Sequence, residues 1–212
     1  MGLLGGTFDP VHRGHLALAH AAMDGLDLAG VRWIPSGTPG HRSTPGATAS
    51  HRLNMLALAL AGETRFSLDR SDALSPTSTY TVHTLERLRQ ELGPQKPLIF
   101  IIGADQLMAL NTWREWRQLF QLAHFGVAER PGYPMEHQCM PAELAEELDR
   151  RKSVGLDKQA AGRILHFAMP AHDVSATSIR SALAAGRVPA DALPRAVLDY
   201  IRSHHLYRDS GI

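Results

Sequence analysis

The residues of this chain best suited to chemistry lie close to its start, in Gly5-Gly6-Thr7-Phe8-Asp9-Pro10-Val11-His12-Arg13-Gly14-His15. His12 and His15 bring two imidazoles together, each able to donate a hydrogen bond while charge builds on phosphate oxygens. Gly5 and Gly6 let a backbone approach a ligand closely, and an apolar helical pattern begins near His15. A helix start there would offer unpaired N–H donors and the positive end of its dipole, so an anion is favoured on physical grounds. Gly14 keeps the space between the two rings open. A lone histidine in a turn is more often a surface or capping residue; the combination with the glycine pair and the helix start is what points to a phosphate.

A second grip of the same kind is written near the other end. Ser175-Ala176-Thr177-Ser178-Ile179-Arg180 puts hydroxyls where capping residues belong and an arginine in the first helical turn. Taken alone it reads as an N-cap. Asp105, in Gly103-Ala104-Asp105 after the strongest apolar run, is likewise a helix N-cap candidate. Trp113, read inside a helical pattern, would on its own be core.

The elements that must position these residues follow from periodicity. Short apolar runs rich in Val, Ile, Leu and Phe at 3–4, 31–34, 66–68, 98–102, 125–128 and 164–167 predict six strands. Helical patterns cover 15–23, 50–61, 80–92, 113–122 and 141–151, with 177–185 and 190–204 closing the chain. Such alternation predicts an α/β fold with a doubly wound parallel sheet, in which ligands bind outside the carboxyl ends of the strands. The unusual residues sit in the segments that follow those strands. No internal repeat is present, and the loop-like stretches 35–49 and 131–140 do not read as domain linkers, so one domain over 1–212 is expected.

Composition narrows the partners. The 212 residues are 44% hydrophobic, enough for a well-buried core, and 22 basic against 21 acidic residues leave a formal charge of +1 without a basic stripe. A nucleic-acid polymer is not indicated. Cys139 is the only cysteine, which excludes an intrachain disulfide and fits a reducing compartment; the cytoplasm is the expected location. No apolar run approaches the roughly 20 residues of a membrane span, and the first residues lack the features of a signal peptide. Twelve histidines invite a zinc reading, yet His12-x-x-His15 and His204-His205 lack an accompanying carboxylate motif, so no metal-ligating residue is named.

The segment from Gly5 to His15 resembles the signature of the nucleotidylyltransferase superfamily, a Gly-rich strand end followed by T/SFDPxHxGH, without a break from Gly6 to His15, and the stretch from Val174 to Arg180 resembles its ISSTxIR segment. Further segments make the chain similar, over nearly its whole length, to the bacterial nicotinate-mononucleotide adenylyltransferases. Pro39-Gly40-His41-Arg42 resembles their PPH[KR] loop, with glycine for the second proline. Ser78-Thr79-Tyr80-Thr81 resembles their PSYT turn, with Ser78 and Thr79 replacing the Pro and the Ser. Gly103-Ala104-Asp105 matches GxD, Arg130-Pro131-Gly132 matches RPG, and 193–207 resembles the ending LPxxVxxYIxxxxLY.

The resemblance implies a Rossmann-like single domain with a small helical C-terminal portion. It also implies direct in-line transfer of AMP from ATP to nicotinate mononucleotide, without a covalent enzyme intermediate. By carry-over, ATP meets Gly5, Gly6, Thr7, Phe8, His12, His15, Gly103, Asp105, Ser175, Thr177, Ser178 and Arg180, of which His12, His15 and Arg180 serve the chemistry. The mononucleotide would meet His41, Arg42, Tyr80, Thr81, Trp113 and Arg114, with the pyridine ring stacked on Trp113. Magnesium is expected on the ATP phosphates, and self-association into a homo-oligomer is left open. The alternatives are adenylyl transfer to another phosphate acceptor such as phosphopantetheine, or a non-catalytic nucleotide sensor. Phosphopantetheine enzymes share the first loop and the last helix but are typically shorter and lack the Trp113 and Arg130-Pro131-Gly132 context. A Rossmann dehydrogenase is disfavoured, because no G-x-G-x-x-G follows a strand.

Overall fold

The computed structural model describes residues 1–37, 45–129, 140–156, 159–170, 174–189 and 191–208. Among them the chain runs β1 (Gly2–Gly6), α1 (Arg13–Gly25), β2 (Val31–Pro35), α2 (Ala49–Ala59), β3 (Phe66–Leu68), α3 (Thr81–Leu92), β4 (Ile99–Gly103) and α4 (Ala104–Met108). A 3-10 turn (Leu110–Thr112) then leads to α5 (Trp116–Leu122), β5 (His124–Glu129), α6 (Ala142–Arg151), β6 (Ile164–Ala168), α7 (Ala176–Ala184) and α8 (Arg195–Ser203). The strands form one sheet in the order β3-β2-β1-β4-β5-β6. β1 pairs with β4, β4 with β5 and β5 with β6, all parallel, with Leu3 opposite Phe100 and Phe100 opposite Phe125. This is the doubly wound order of a Rossmann-like fold, whose direction of winding reverses between β1 and β4.

The chain gathers into two compact units: Met1–Gly5, Leu18–Arg32 and Tyr80–Ala171 in the first, Gly6–Ala17, Trp33–Thr79 and His172–Ile212 in the second. In the first, apolar strand residues on both faces of the sheet are covered by helices. Leu3, Ile99, Ile101, Phe125, Val127 and Ile164 are buried, as are Leu85 and Leu88 of α3 and Leu119 and Phe120 of α5. Arg89 of α3 holds the ends of neighbouring elements by donating to the carbonyls of Leu122 (2.6 Å), Lys96 (2.5 Å) and Ala160 (2.6 Å). His124 is fully buried, with Nδ1 accepting from the Arg163 N–H and Nε2 3.0 Å from the Gln159 carbonyl oxygen, so its role is packing.

In the second unit Phe8, Trp33 and Phe66 form an aromatic chain, with ring centroids 5.3 and 5.5 Å apart along it. Met55 and Leu56 of α2 and Val197 and Ile201 of α8 are also buried. The Tyr200 hydroxyl joins α8 to α2 through Asn54 and His51, each at 2.9 Å.

The sheet and most helices lie within a few residues of their expected places. Two helix starts differ. The pattern at 113–122 becomes helical only at Trp116, because Glu115 sits in the left-handed region (φ 52°) and Trp113 is extended. The pattern at 190–204 becomes helical only at Arg195, because Pro194 has no N–H and holds Leu193 out of helical geometry. Periodicity gave no helical pattern for the short α4, to which only the N-cap candidate Asp105 pointed, nor for the 3-10 turn after it.

Candidate active site

The loop from β1 to α1 belongs to the second unit and ends on His12, while His15 lies in the first turn of α1. Phe8 at its centre adopts a left-handed conformation (φ 50°) and turns its ring inward, 2% exposed, so toward a ligand it offers backbone rather than side chain. That ring lies so close to Gly6 that a Cβ there would stand 3.0 Å from it. The His12 and His15 rings stack with centroids 3.7 Å apart and 23° between their planes, and the Phe8 ring meets His15 edge-on at 5.0 Å. The His12 backbone N–H donates to His15 Nδ1 at 3.2 Å. A neutral His15 therefore carries its proton on Nε2, the nitrogen at the far end of the ring, and is a donor there.

A Cβ at Gly14 would stand 3.1 Å from His12 Nδ1, so the smallest side chain leaves the His12 ring in place. That nitrogen is buried and has no hydrogen-bond partner among the described residues. The helix start gives fewer free donors than the sequence suggests. Arg13 N–H is taken by the Ala192 carbonyl and His15 N–H turns back to the His12 carbonyl.

Burial holds the His12 imidazole down to about pKa 4, and burial, then the neighbouring His12, holds that of His15 well below its ordinary value. Both rings are neutral at pH 7. The sign for stability follows directly. Between 6.5, the ordinary value, and about 4 the unfolded chain binds the proton that folded His12 refuses, so stability falls as pH falls through that window. Thermal unfolding at pH 7 and pH 5 is expected to show this loss, and His12→Asn is expected to shrink it.

Asp9 organises the surroundings of the loop. Its buried carboxylate accepts from the N–H groups of Gly46 (2.7 Å, Oδ2) and Ala47 (3.0 Å, Oδ1) and from the Tyr207 hydroxyl (2.7 Å, Oδ1). Arg52, 2% exposed, donates Nη1 to the Thr7 carbonyl (2.7 Å) and Nη2 to the Gly37 carbonyl (3.2 Å). Arg180 of α7 donates Nη1 to the Asp9 carbonyl at 2.8 Å, 3.8 Å from Asp9 Oδ2.

At the start of α7, Ser175 is the N-cap and exchanges hydrogen bonds with Ser178, including Ser178 N–H to Ser175 Oγ at 3.0 Å. Thr177 Oγ1 accepts from Arg180 Nη2 at 3.4 Å. The N–H groups of Ala176 and Thr177, at the first two helical positions, have no carbonyl of their own helix to bond. This helix end is therefore both an N-cap and an anion-ready surface, with the Arg180 charge beside it.

The first unit carries Gly103, Asp105, Tyr80, Thr81, Trp113 and Arg114. Gly103, not Asp105, stands at the N-cap of α4, and the exposed Asp105 lies in its first turn. Tyr80 precedes α3 and Thr81 opens it; the Arg114 guanidinium lies 4.9 Å from the Tyr80 ring centre. Trp113 is not a core helix residue. It is half-buried in an extended link, edge-on to Phe100 at 6.2 Å, while Trp116 takes the core position at 7% exposure. Part of the Trp113 side chain therefore stays exposed.

His41 and Arg42 lie outside the described residues, as do Pro39, Gly40, the Arg130-Pro131-Gly132 segment and Cys139. Sequence reasoning gave no part to Asp9, Arg52 or Tyr207. Asp9 stands inside the quoted signature, and Tyr207 closes the C-terminal pattern read as structural; Arg52 looks like any polar position of a helix.

Residues 3–182 match the family model described as cytidylyltransferase-like. A protein of Dechloromonas aromatica (strain RCB) named probable nicotinate-nucleotide adenylyltransferase is 52% identical, the match covering 99% of this chain and 98% of that one. A protein of the same name from Stenotrophomonas maltophilia (strain K279a) is 47% identical over 96% of this chain and 95% of its own. Among solved structures, the Plasmodium falciparum nicotinic acid mononucleotide adenylyltransferase complexed with NaAD superposes with a TM-score of 0.73 at 18% identity, over 97% of this chain and 96% of that one, a likeness of fold. On the extent of these matches the chain belongs to the nicotinate-nucleotide adenylyltransferase family, among the cytidylyltransferase-like proteins.

Proposed function

We propose that the protein transfers AMP from ATP to nicotinate mononucleotide, giving nicotinate adenine dinucleotide and pyrophosphate in NAD biosynthesis. The observation that carries this reading is the stacked His12–His15 pair, between the end of the loop after β1 and the first turn of α1, with His15 Nδ1 taken by the His12 N–H so that Nε2 is left as the donor. A phosphate oxygen of the mononucleotide attacks the α-phosphorus of ATP, and the bond to the bridging oxygen of the β-phosphate breaks, its electron pair leaving with pyrophosphate. Little covalent work is asked of the protein, so positioning and charge stabilisation carry the catalysis. His12, His15 and Arg180 answer the charge that grows on the departing phosphates, while Ser175, Thr177, Ser178 and the backbone of Gly5, Gly6, Thr7 and Phe8 seat them. Gly103 and Asp105 belong with ATP; Tyr80, Thr81, Trp113, Arg114, His41 and Arg42 belong with the mononucleotide.

Magnesium is a hard cation that takes oxygen ligands. Around the phosphate loop the side chains on offer are imidazole, guanidinium and hydroxyl groups, and both oxygens of Asp9 already accept hydrogen bonds. This donor set suits a cation that arrives on the nucleotide and neutralises its phosphates. No helix among the described residues is long and apolar enough to cross a membrane, and the proposed place of work is the cytoplasm. The family model runs through both compact units, which supports treating 1–212 as one nucleotidylyltransferase domain.

The reading is tested by pyrophosphate release from ATP and magnesium with nicotinate mononucleotide, nicotinamide mononucleotide or phosphopantetheine offered separately. Turnover with nicotinate mononucleotide is expected. Turnover with phosphopantetheine alone would change the acceptor, and saturable ATP binding without any turnover would make the protein a sensor. Trp113→Ala is expected to weaken mononucleotide binding by roughly 1–3 kcal/mol, the worth of a base on an aromatic platform. It should appear as a raised KM for the mononucleotide with KM for ATP nearly unchanged.

A further inference from the structure

The Arg180 guanidinium is held by groups that themselves depend on a tyrosine close to the end of the described chain. Arg180 Nη1 donates to the Asp9 carbonyl at 2.8 Å and stands 3.8 Å from Asp9 Oδ2. How strongly the carboxylate pulls on that guanidinium depends on what else answers its charge. Two backbone N–H groups, of Gly46 and Ala47, do part of this; the third donor is the Tyr207 hydroxyl, at 2.7 Å from Oδ1. Asp9 is only 6% exposed, so water cannot replace a lost donor freely.

We propose that Tyr207 is a positioning residue for the transfer reaction: its hydroxyl, acting through Asp9, sets where the Arg180 guanidinium stands. The proposal rests on the reading of Arg180 as a ligand of the ATP phosphates. With the hydroxyl in place the carboxylate is satisfied by three fixed donors, and Arg180 is anchored through the Asp9 carbonyl and Thr177 Oγ1, a setting from which its guanidinium turns to a phosphate. Without it, an under-satisfied carboxylate draws the guanidinium closer and competes with the nucleotide for it. Burial, then the hydrogen bond to Asp9, pushes the Tyr207 phenol far above its ordinary range, so it remains a donor at any working pH.

Two further features fit a residue held for this purpose. Tyr207 adopts a left-handed backbone (φ 59°), a conformation that persists in a bulky residue only where its surroundings demand it. Its ring and the Arg180 stem both lie against Gly46, where a Cβ would stand 3.2 Å from Tyr207 Cε1 and 3.4 Å from Arg180 Cδ. Glycine at this position is what lets the two side chains share the space.

The test is Tyr207→Phe, which keeps the ring and removes the hydroxyl, made alone and in an Arg180→Ala background. The readouts are the Kd for ATP by calorimetry, kcat and both KM values, and the melting temperature. In the single variant ATP binding is expected to weaken about tenfold, with KM for the mononucleotide within about twofold of the parent and a lowered melting temperature, as for one donor lost from a buried carboxylate. In the Arg180→Ala background the same change should cost little, because the group it positions is gone. Equal losses of ATP binding in both backgrounds, a loss shared by both KM values, or unaltered ATP binding would each overturn the proposal. Because ATP binding is read without an acceptor, failure of the parent protein to use nicotinate mononucleotide would sink the proposed function and leave this comparison standing.

Discussion

His15→Ala is expected to lower kcat by about 10²-fold or more while the protein stays folded, the usual consequence of removing a donor aimed at developing charge. The geometry makes the donor specific. His15 Nδ1 is occupied by the His12 N–H, so the proton of the neutral ring is at Nε2, and burial keeps the ring neutral in the free protein. Removing the ring also deletes the stacking partner of His12 and leaves the His12 N–H without its acceptor. His15→Asn separates these effects. Its side-chain oxygen can still accept from the His12 N–H, but it cannot reach as far as Nε2 does. The asparagine variant is therefore expected to be as slow as the alanine variant and more stable to heat. Steady-state kcat and thermal unfolding of both variants check this, and near-normal kcat in either removes His15 from the assigned role.

Arg180 carries the second large expectation. Its guanidinium is the one charged group assigned to the α7 phosphate grip, and it reaches Thr177 in the first turn, whose N–H has no carbonyl of its own helix to bond. Arg180→Ala should lower kcat/KM for ATP by roughly 10²-fold or more, since a charge-assisted contact to a transferring or departing phosphate is lost. Lysine should recover little of this. A single ammonium cannot donate to the Asp9 carbonyl, reach Thr177 Oγ1 and face a phosphate together, as the planar fork of arginine can. Alanine and lysine variants with kcat/KM close to the parent would contradict the phosphate-ligand assignment.

The fold was legible where residue type and period act locally. Apolar runs of two to five residues between amphipathic stretches located all six strands, and the segment after the first was recognisable from its glycines and histidines. Local reading failed where one backbone angle decides. Nothing in Asn111-Thr112-Trp113-Arg114-Glu115-Trp116 announces that Glu115 turns left-handed, and that turn converts Trp113 from a helical core residue into a half-buried one. α4 has too few residues to show a helical period. Long-range pairing was also out of reach. The Tyr207 hydroxyl meets a carboxylate 198 residues earlier and Arg52 grips a carbonyl 45 residues earlier, contacts that follow from tertiary packing and leave no mark on composition or spacing. The asymmetry has a physical basis: ligand-facing loops are constrained by the chemistry of the ligand, whereas the groups behind them are constrained only by where the fold brings them.

The central claim is that the AMP part of ATP is joined to nicotinate mononucleotide. It is tested most directly by incubating the protein with magnesium, nicotinate mononucleotide and ATP labelled at the α-phosphate, and then separating the products. The label is expected in nicotinate adenine dinucleotide, in amounts equal to the pyrophosphate released, and in nothing else. Label that remains in ATP, or that appears in AMP without a dinucleotide, would contradict the account.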